Sequence, residues 1–137
     1  MAGEWKPRTL GTLGSLRNGV NFSRQHEGRG LPVLKVKDFG SDFSVPAAGL
    51  DELNLEALSV PPEQYLQAGD CVIIRSNGNS ELVGRTMFVG DLALPTIFSG
   101  FCIRFRPNPA VLHPRFAAYF LRSPICRQRF YSFGSGT

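Results

Sequence analysis

Long apolar runs are missing from this sequence. None approaches the roughly 18 residues that a membrane-crossing helix needs, and the opening "MAGEWKPRTL" lacks the apolar centre of a signal peptide. The cytoplasm is therefore the expected compartment. Cysteine is sparse and unsuited to a metal cluster: Cys71, Cys102 and Cys126 contain no Cys-x-x-Cys pair. Each sits in an apolar context, where a small free thiol packs well in a core. A catalytic thiol would need a basic partner, yet the histidines are His26, in a polar loop, and His113, directly before a proline.

The usual signatures of catalysis are absent as well. There is no GxxxxGK[ST] phosphate loop, no GxGxxG, no HExxH and no GxSxG. The Asp/Asn-Pro-Pro-aromatic motif of amino-methyltransferases is missing, and "NPAV" at Asn108 to Val111 comes nearest but lacks the aromatic ring. Lysine occurs only at Lys6, Lys35 and Lys37; Lys6 alone stands in a Glu-x-Lys (Glu4-Trp5-Lys6), and the sequence has no Pro-Asp pair to make that the commonest restriction-nuclease core. The segment 38–74 contains seven acids and no basic residue, but their scattered spacing offers no convergent set for a divalent cation. Catalytic residues, metal ligands and bound cofactors are therefore all expected to be none.

What is present fits one domain over residues 1–137, with 42% apolar residues and 11 phenylalanines to build a core. Fifteen glycines and ten prolines punctuate the chain, so many short elements are expected. "LPVLKVKDF", Leu31 to Phe39, alternates as a half-buried strand would, with Leu34 and Val36 on one face and Lys35 and Lys37 on the other. "FSVPAAGLDELNLEALSVPP" reads as an acidic, irregular connector, and "PPEQYLQ" as one helical turn. "AGD", Ala68 to Asp70, turns the chain into a strand "CVIIR", and "RTMFVG" and "SGFCIRFRP" are two further strands. In the last of these Phe101, Ile103 and Phe105 share a face, leaving Arg104 and Arg106 side by side on the other. "PRFAAYFLR" changes to helical spacing, with Phe116, Ala117, Phe120 and Leu121 as its apolar stripe. Ser123 and Pro124 are an N-cap and first-turn pair for a second helix. The expected fold is α+β: short, mostly antiparallel or mixed strands and a helical C-terminal tail.

Charge is unevenly distributed. Residues 1–37 hold seven basic side chains against two acids, and residues 92–137 hold six arginines and no acid. Twelve of the fifteen basic residues are arginine, whose planar fork suits phosphate oxygens and the guanine edge, so a polyanion is the natural partner to test. Between two strands lies "RSNGNSELVGRT", a compact set of hydrogen-bond donors on Arg75, Ser76, Asn77, Asn79, Ser80 and Arg85. Asn77-Gly78 has the composition of a tight turn with positive φ, and Gly84 suits a second bend.

"GDCVIIRSNGNSELVGRT" resembles the region after the glycine-aspartate turn in target recognition domains of type I restriction-modification specificity subunits. "WKPRTLGTLGSLRNG" resembles the opening of such domains, "LPVLKVKDF" an internal strand, "FSGFCIRFRP" a later arginine-bearing strand, and "YFLRSPICRQRFYSFGSGT" the tail before a Ser-Gly-Thr loop. The pieces occur in the family's order and span most of the chain. The resemblance implies a non-catalytic domain that reads one half of a split double-stranded DNA site. It implies a second recognition domain, spacer helices, and methyltransferase (M) and restriction or motor (R) subunits as partners. It also implies that this chain is a first recognition domain cut before its spacer helix.

Because members of that family read different sequences, residues that carry the likeness are expected to position DNA rather than discriminate bases. That assigns Arg75, Asn77, Asn79, Ser80 and Arg85 to loop shape and phosphate contact. Base reading falls to positions outside the shared pieces, Arg24, Gln25 and Arg29 with His26 between, or to the strand residues Lys35, Lys37, Arg104 and Arg106. Two alternatives stay open. A general single-strand binder would need exposed aromatics for stacking, whereas Phe101, Phe105, Phe116 and Phe120 are expected in the core. A protein-interaction domain would use the acidic connector or the tail and bind no nucleic acid.

Overall fold

The structure is a computed structural model that describes residues 6–134, with side chains through Phe130. The opening tryptophan and the final Ser-Gly-Thr lie outside those residues. Seven strands and three helices follow in the order α1 (Leu10–Leu13), β1 (Gly14–Asn18), β2 (Gly30–Leu34), β3 (Glu52–Asn54), β4 (Cys71–Ile74), β5 (Thr86–Phe88), β6 (Ile97–Phe98), β7 (Cys102–Pro107), α2 (Pro114–Leu121) and α3 (Pro124–Gly134). The α+β class expected from the sequence is what the chain adopts.

Two sheets carry the fold. An antiparallel sheet runs β1-β7-β4-β5, and a mixed sheet runs β3-β2-β6, in which β2 pairs antiparallel with β3 and parallel with β6. Strand β4 lies inside the first sheet with apolar residues on both faces. Val72 and Ile74 pack with Leu34, Phe98 and Cys102, while Cys71 and Ile73 pack with Phe105, Ala117, Ala118 and Leu121 of the helical side. A strand covered on both faces reads as an unbroken apolar run, which explains "CVII". The second sheet has its own cluster of Leu31, Val33, Leu53 and Ile97, flanked by the half-buried Phe22 and Tyr65.

Several sequence expectations change here. The strand expected over Leu31 to Phe39 ends at Leu34, all of Leu31–Leu34 are buried, and Val36–Asp38 form a single 3-10 turn. Both faces of β2 are covered, so no alternation develops and the lysines fall beyond the strand. The acidic connector is not wholly irregular, since Glu52–Asn54 pair with β2. The strand expected from Ser99 starts at Cys102, because the Cys102 amide donates to the Ser99 carbonyl (3.0 Å) and closes a turn first.

Helix α2 forms where expected but is turned about its axis. Its buried residues are Ala117, Ala118 and Leu121, whereas Phe116 and Phe120 are 61% and 49% exposed. The two alanines allow close approach to the sheet, and the larger rings are left outside. Ser123 caps α3 as expected, its hydroxyl accepting from the Cys126 amide at 3.3 Å. His113 caps α2 through Nδ1, which accepts from the Arg115 amide at 3.2 Å. The three cysteines are free and buried, and burial pushes the Cys71 thiol up to about 12 and the Cys102 thiol to about 11.

Candidate nucleic-acid interface

The loop Arg75–Arg85 joins β4 to β5, and its shape is fixed from within. Asn77 Oδ1 accepts from the Asn79 amide (2.8 Å), and Asn79 Oδ1 accepts from the Glu81 amide (3.0 Å), two successive Asx turns. No non-glycine residue of the described chain has positive φ, and Gly78 is not among the glycines that do. The Asn77-Gly78 hairpin turn is thus replaced by side-chain-closed turns, which accomplish the same reversal within an ordinary backbone. Gly84 does supply the second bend, with φ +88°, and any Cβ there would lie 2.6 Å from Phe130 Cβ.

Arg75 anchors the near end of the loop. Its Nε donates to the Gly100 carbonyl at 2.8 Å and its backbone amide to the Phe101 carbonyl at 2.9 Å. The loop and the Ser99–Phe101 turn are therefore held against each other. A Cβ on Gly100 would approach Asn21 Oδ1 to 2.0 Å, so the start of the 21–29 loop also closes on this turn.

Where these three segments meet, Phe22, Lys35, Lys37, Asn77, Gly78 and Phe101 line an open cavity of about 500 Å³. Lys35 Nζ lies 5.4 Å from the centre of the Phe22 ring. Both lysines donate to Asp51, at 2.9 Å each. Those hydrogen bonds, Lys37's first and then Lys35's, hold the Asp51 carboxyl below its ordinary range, and the same contact raises Lys37. Asp38, whose carboxylate accepts from the Lys35 backbone amide at 2.8 Å, also raises Lys37, so two carboxylates stand beside the two ammonium groups. Phe101 is 60% exposed at the rim, contrary to its expected place in the core. It belongs to the turn ahead of β7, outside the alternation that the strand imposes.

The other expected site residues divide sharply. Arg24, Gln25 and Arg29 are exposed, with Arg24–His26 forming a 3-10 turn just after Phe22. Ser80 is half-buried and its carbonyl accepts from the Val83 amide. Arg85 donates through Nη1 to the Phe39 carbonyl at 3.3 Å, away from the lysine cavity. Arg104 and Arg106 share a face as expected, but that face is covered by the 63–70 segment. Arg104 is 3% exposed and donates to the Glu63 carbonyl, and burial lowers its pKa. Arg106 grips the buried Asp70 through Nε (2.8 Å) and Nη2 (3.0 Å) and the Tyr65 carbonyl through Nη2. Both arginines are tied into the scaffold by these bonds, Arg104 fully buried and the Arg106 side chain still 27% exposed. Phe22 and Phe101 were missed as site residues; it is their place on the wall of this cavity, and not exposure alone, that sets them apart from the exposed Phe116 and Phe120.

No family model matches the sequence, and no curated protein matches it closely enough to count. Solved structures do match. The crystal structure of the HsdS subunit from Thermoanaerobacter tengcongensis aligns over 96% of this chain and 31% of its own, with a TM-score of 0.66 and 19% identity. The fold is that of part of an HsdS subunit. A structure solved to explain complex assembly and conformational transition of the type I R-M system aligns over 94% of this chain and 32% of its own, with a TM-score of 0.59 and 19% identity. The chain thus spans about a third of the length of these two matches. Among the described residues no helix is long and apolar enough to cross a membrane, and no three His, Cys, Asp or Glu side chains group to hold a metal ion.

Proposed function

We propose that this chain is a non-catalytic recognition module that reads one half of a split double-stranded DNA site for a type I restriction-modification complex. The observation that carries this reading is the open cavity rimmed by Lys35, Lys37, Asn77 and Phe101, on a fold shared over nearly the whole chain with an HsdS subunit. The lysines at its edge neutralise phosphates and release counterions, Asn77 holds the loop in shape beside them, and side chains of the 21–29 loop reach base edges. Residues 1–137 act as one recognition unit, paired with a second one in the longer subunit, and M and R subunits supply the chemistry. A single half-site is bound weakly, and avidity from the second unit supplies the remainder.

Selection from a random duplex pool at low salt tests this. Enrichment of one short motif supports half-site reading, and retention without a motif leaves only phosphate binding. The exposed Phe101 keeps single-strand binding as a second reading, because one stacked base is worth about 1–3 kcal/mol. Phe101→Ala separates the two: a loss of about tenfold or more in single-strand affinity with duplex affinity unchanged favours stacking.

A further inference from the structure

Away from the lysine cavity, a second depression of about 380 Å³ is lined by Ser41, Thr86 and three arginines, Arg85, Arg122 and Arg127. They come from three elements: the end of the β4–β5 loop, the C-terminus of α2 and the first turn of α3. Backbone carbonyls fix all three. Arg122 Nη1 donates to Thr86 (2.7 Å) and Asp42 (3.2 Å) and its Nη2 to Ser41 (3.3 Å). Arg127 donates to Val83 and Glu81 (2.9 Å each), and Arg85 to Phe39 (3.3 Å).

None of the three is neutralised. The ion pairs among the described residues are those of Lys35, Lys37 and Arg106, so Asp42 and Glu81 offer these arginines their carbonyls and not their carboxylates. Carbonyls orient a guanidinium without cancelling its charge, and like charges gathered in one depression repel unless an anion joins them. Burial and the positive charges of Arg85 and Arg122 both lower the Arg127 pKa, the direction that repulsion predicts. The Nε groups of all three, and Nη2 of Arg85, have no acceptor among the described residues, which leaves a forked pair of donors on Arg85 and a free Nε–H on each of Arg122 and Arg127 for tetrahedral oxygens.

We propose that Arg85, Arg122 and Arg127 form a phosphate-binding pocket that locks the helical tail to the β4–β5 loop. The phosphate is either a free anion or a backbone phosphodiester of DNA, and only the second source rests on the duplex reading. The test follows arginine Nε–Hε NMR signals of the whole chain during titration with inorganic phosphate at constant ionic strength. Saturable shifts of Arg85, Arg122 and Arg127, with Arg24 and Arg29 unmoved, are expected. Arg85→Gln, which removes the most loosely tied of the three, weakens phosphate by about tenfold while the melting temperature in phosphate-free buffer stays close to that of the parent chain.

Absent shifts, or equal shifts on every exposed arginine, overturn the pocket even if duplex still binds elsewhere. Should Arg85→Gln fail to fold, the titration of the unaltered chain still decides. A short duplex that displaces bound phosphate identifies DNA as the source, and simultaneous binding identifies a free phosphate ligand. Phosphate binding without any duplex binding upholds the pocket and overturns the proposed DNA module instead.

Discussion

Lys35-Val36-Lys37 and Arg104-Phe105-Arg106 each place a basic residue on either side of an apolar one, and the fold treats them in opposite ways. The lysines leave β2 at its end, enter a 3-10 turn and share a surface carboxylate. The arginines stay in β7, hydrogen-bonded to β1 on one side and β4 on the other, beneath a segment that buries Arg104 and covers most of Arg106. Period-two spacing fixes which side a residue faces, but it does not say whether that side meets water. The difference lies in what covers each strand, and only tertiary structure supplies that cover.

Breaking the buried half of the comparison should have the largest effect. Arg106→Met strands Asp70, 1% exposed, without its partner and is expected to cost about 3 kcal/mol in denaturant unfolding. A loss below about 0.5 kcal/mol would show that the Gln67 amide, which already donates to Asp70 Oδ2 at 2.7 Å, satisfies the carboxylate without Arg106. Next comes the exposed half. The double change Lys35→Ala, Lys37→Ala should leave the fold intact and reduce the salt slope of duplex binding by about 2, one unit for each phosphate that is no longer neutralised. An unchanged slope removes these lysines from the interface.

A smaller effect is expected at Arg104, whose Nε is buried without an acceptor. Arg104→Met keeps the side-chain bulk and discards a poorly satisfied charge, so stability should stay within about 1 kcal/mol of the parent. The contrast with Arg106→Met sharpens the point, since neighbours on one face differ by whether a carboxylate is left behind. The smallest effect concerns Asp51. Its NMR titration midpoint should lie below the ordinary 3.8 and move up in Lys37→Ala. The depressed pKa means that the ion pair stabilises the fold above the unfolded value and loses that contribution as the pH falls through the folded one. A midpoint indifferent to Lys37 would break the lysine-carboxylate cluster.

Legibility of the fold followed burial. The apolar run Cys71–Ile74, the turn at Gly69-Asp70 and the capped start of α3 were all readable, because each is set by local chemistry. Strand β1 was not: Ser15 to Asn18 are exposed, and the element exists because β7 offers an unpaired edge. Strand β3 hid among acids for the same reason. The rotated face of α2 was illegible because alanine and phenylalanine both count as apolar, while closeness of approach decides between them. Of the expected site residues, the structure gathers Lys35, Lys37 and Asn77 with Arg75 beside them, and it assigns Arg104 and Arg106 to the scaffold. The aromatic rim went unrecognised because Phe22 and Phe101 look like core residues until their surroundings are known.

The parallel pairing of β2 with β6 has a kinetic consequence. Val33 pairs with Ile97 and Leu34 with Phe98, partners far apart along the chain, whereas β4 and β5 close over a single loop. Closing a long loop delays its reward, so the β4–β5 hairpin should form early and the β2–β6 seam late. Lys35 and Phe101 flank that seam and Phe22 packs against it, so the cavity takes shape only in the last stage of folding. A chain released before that stage would already hold most of its core and still have no surface with which to grip a ligand.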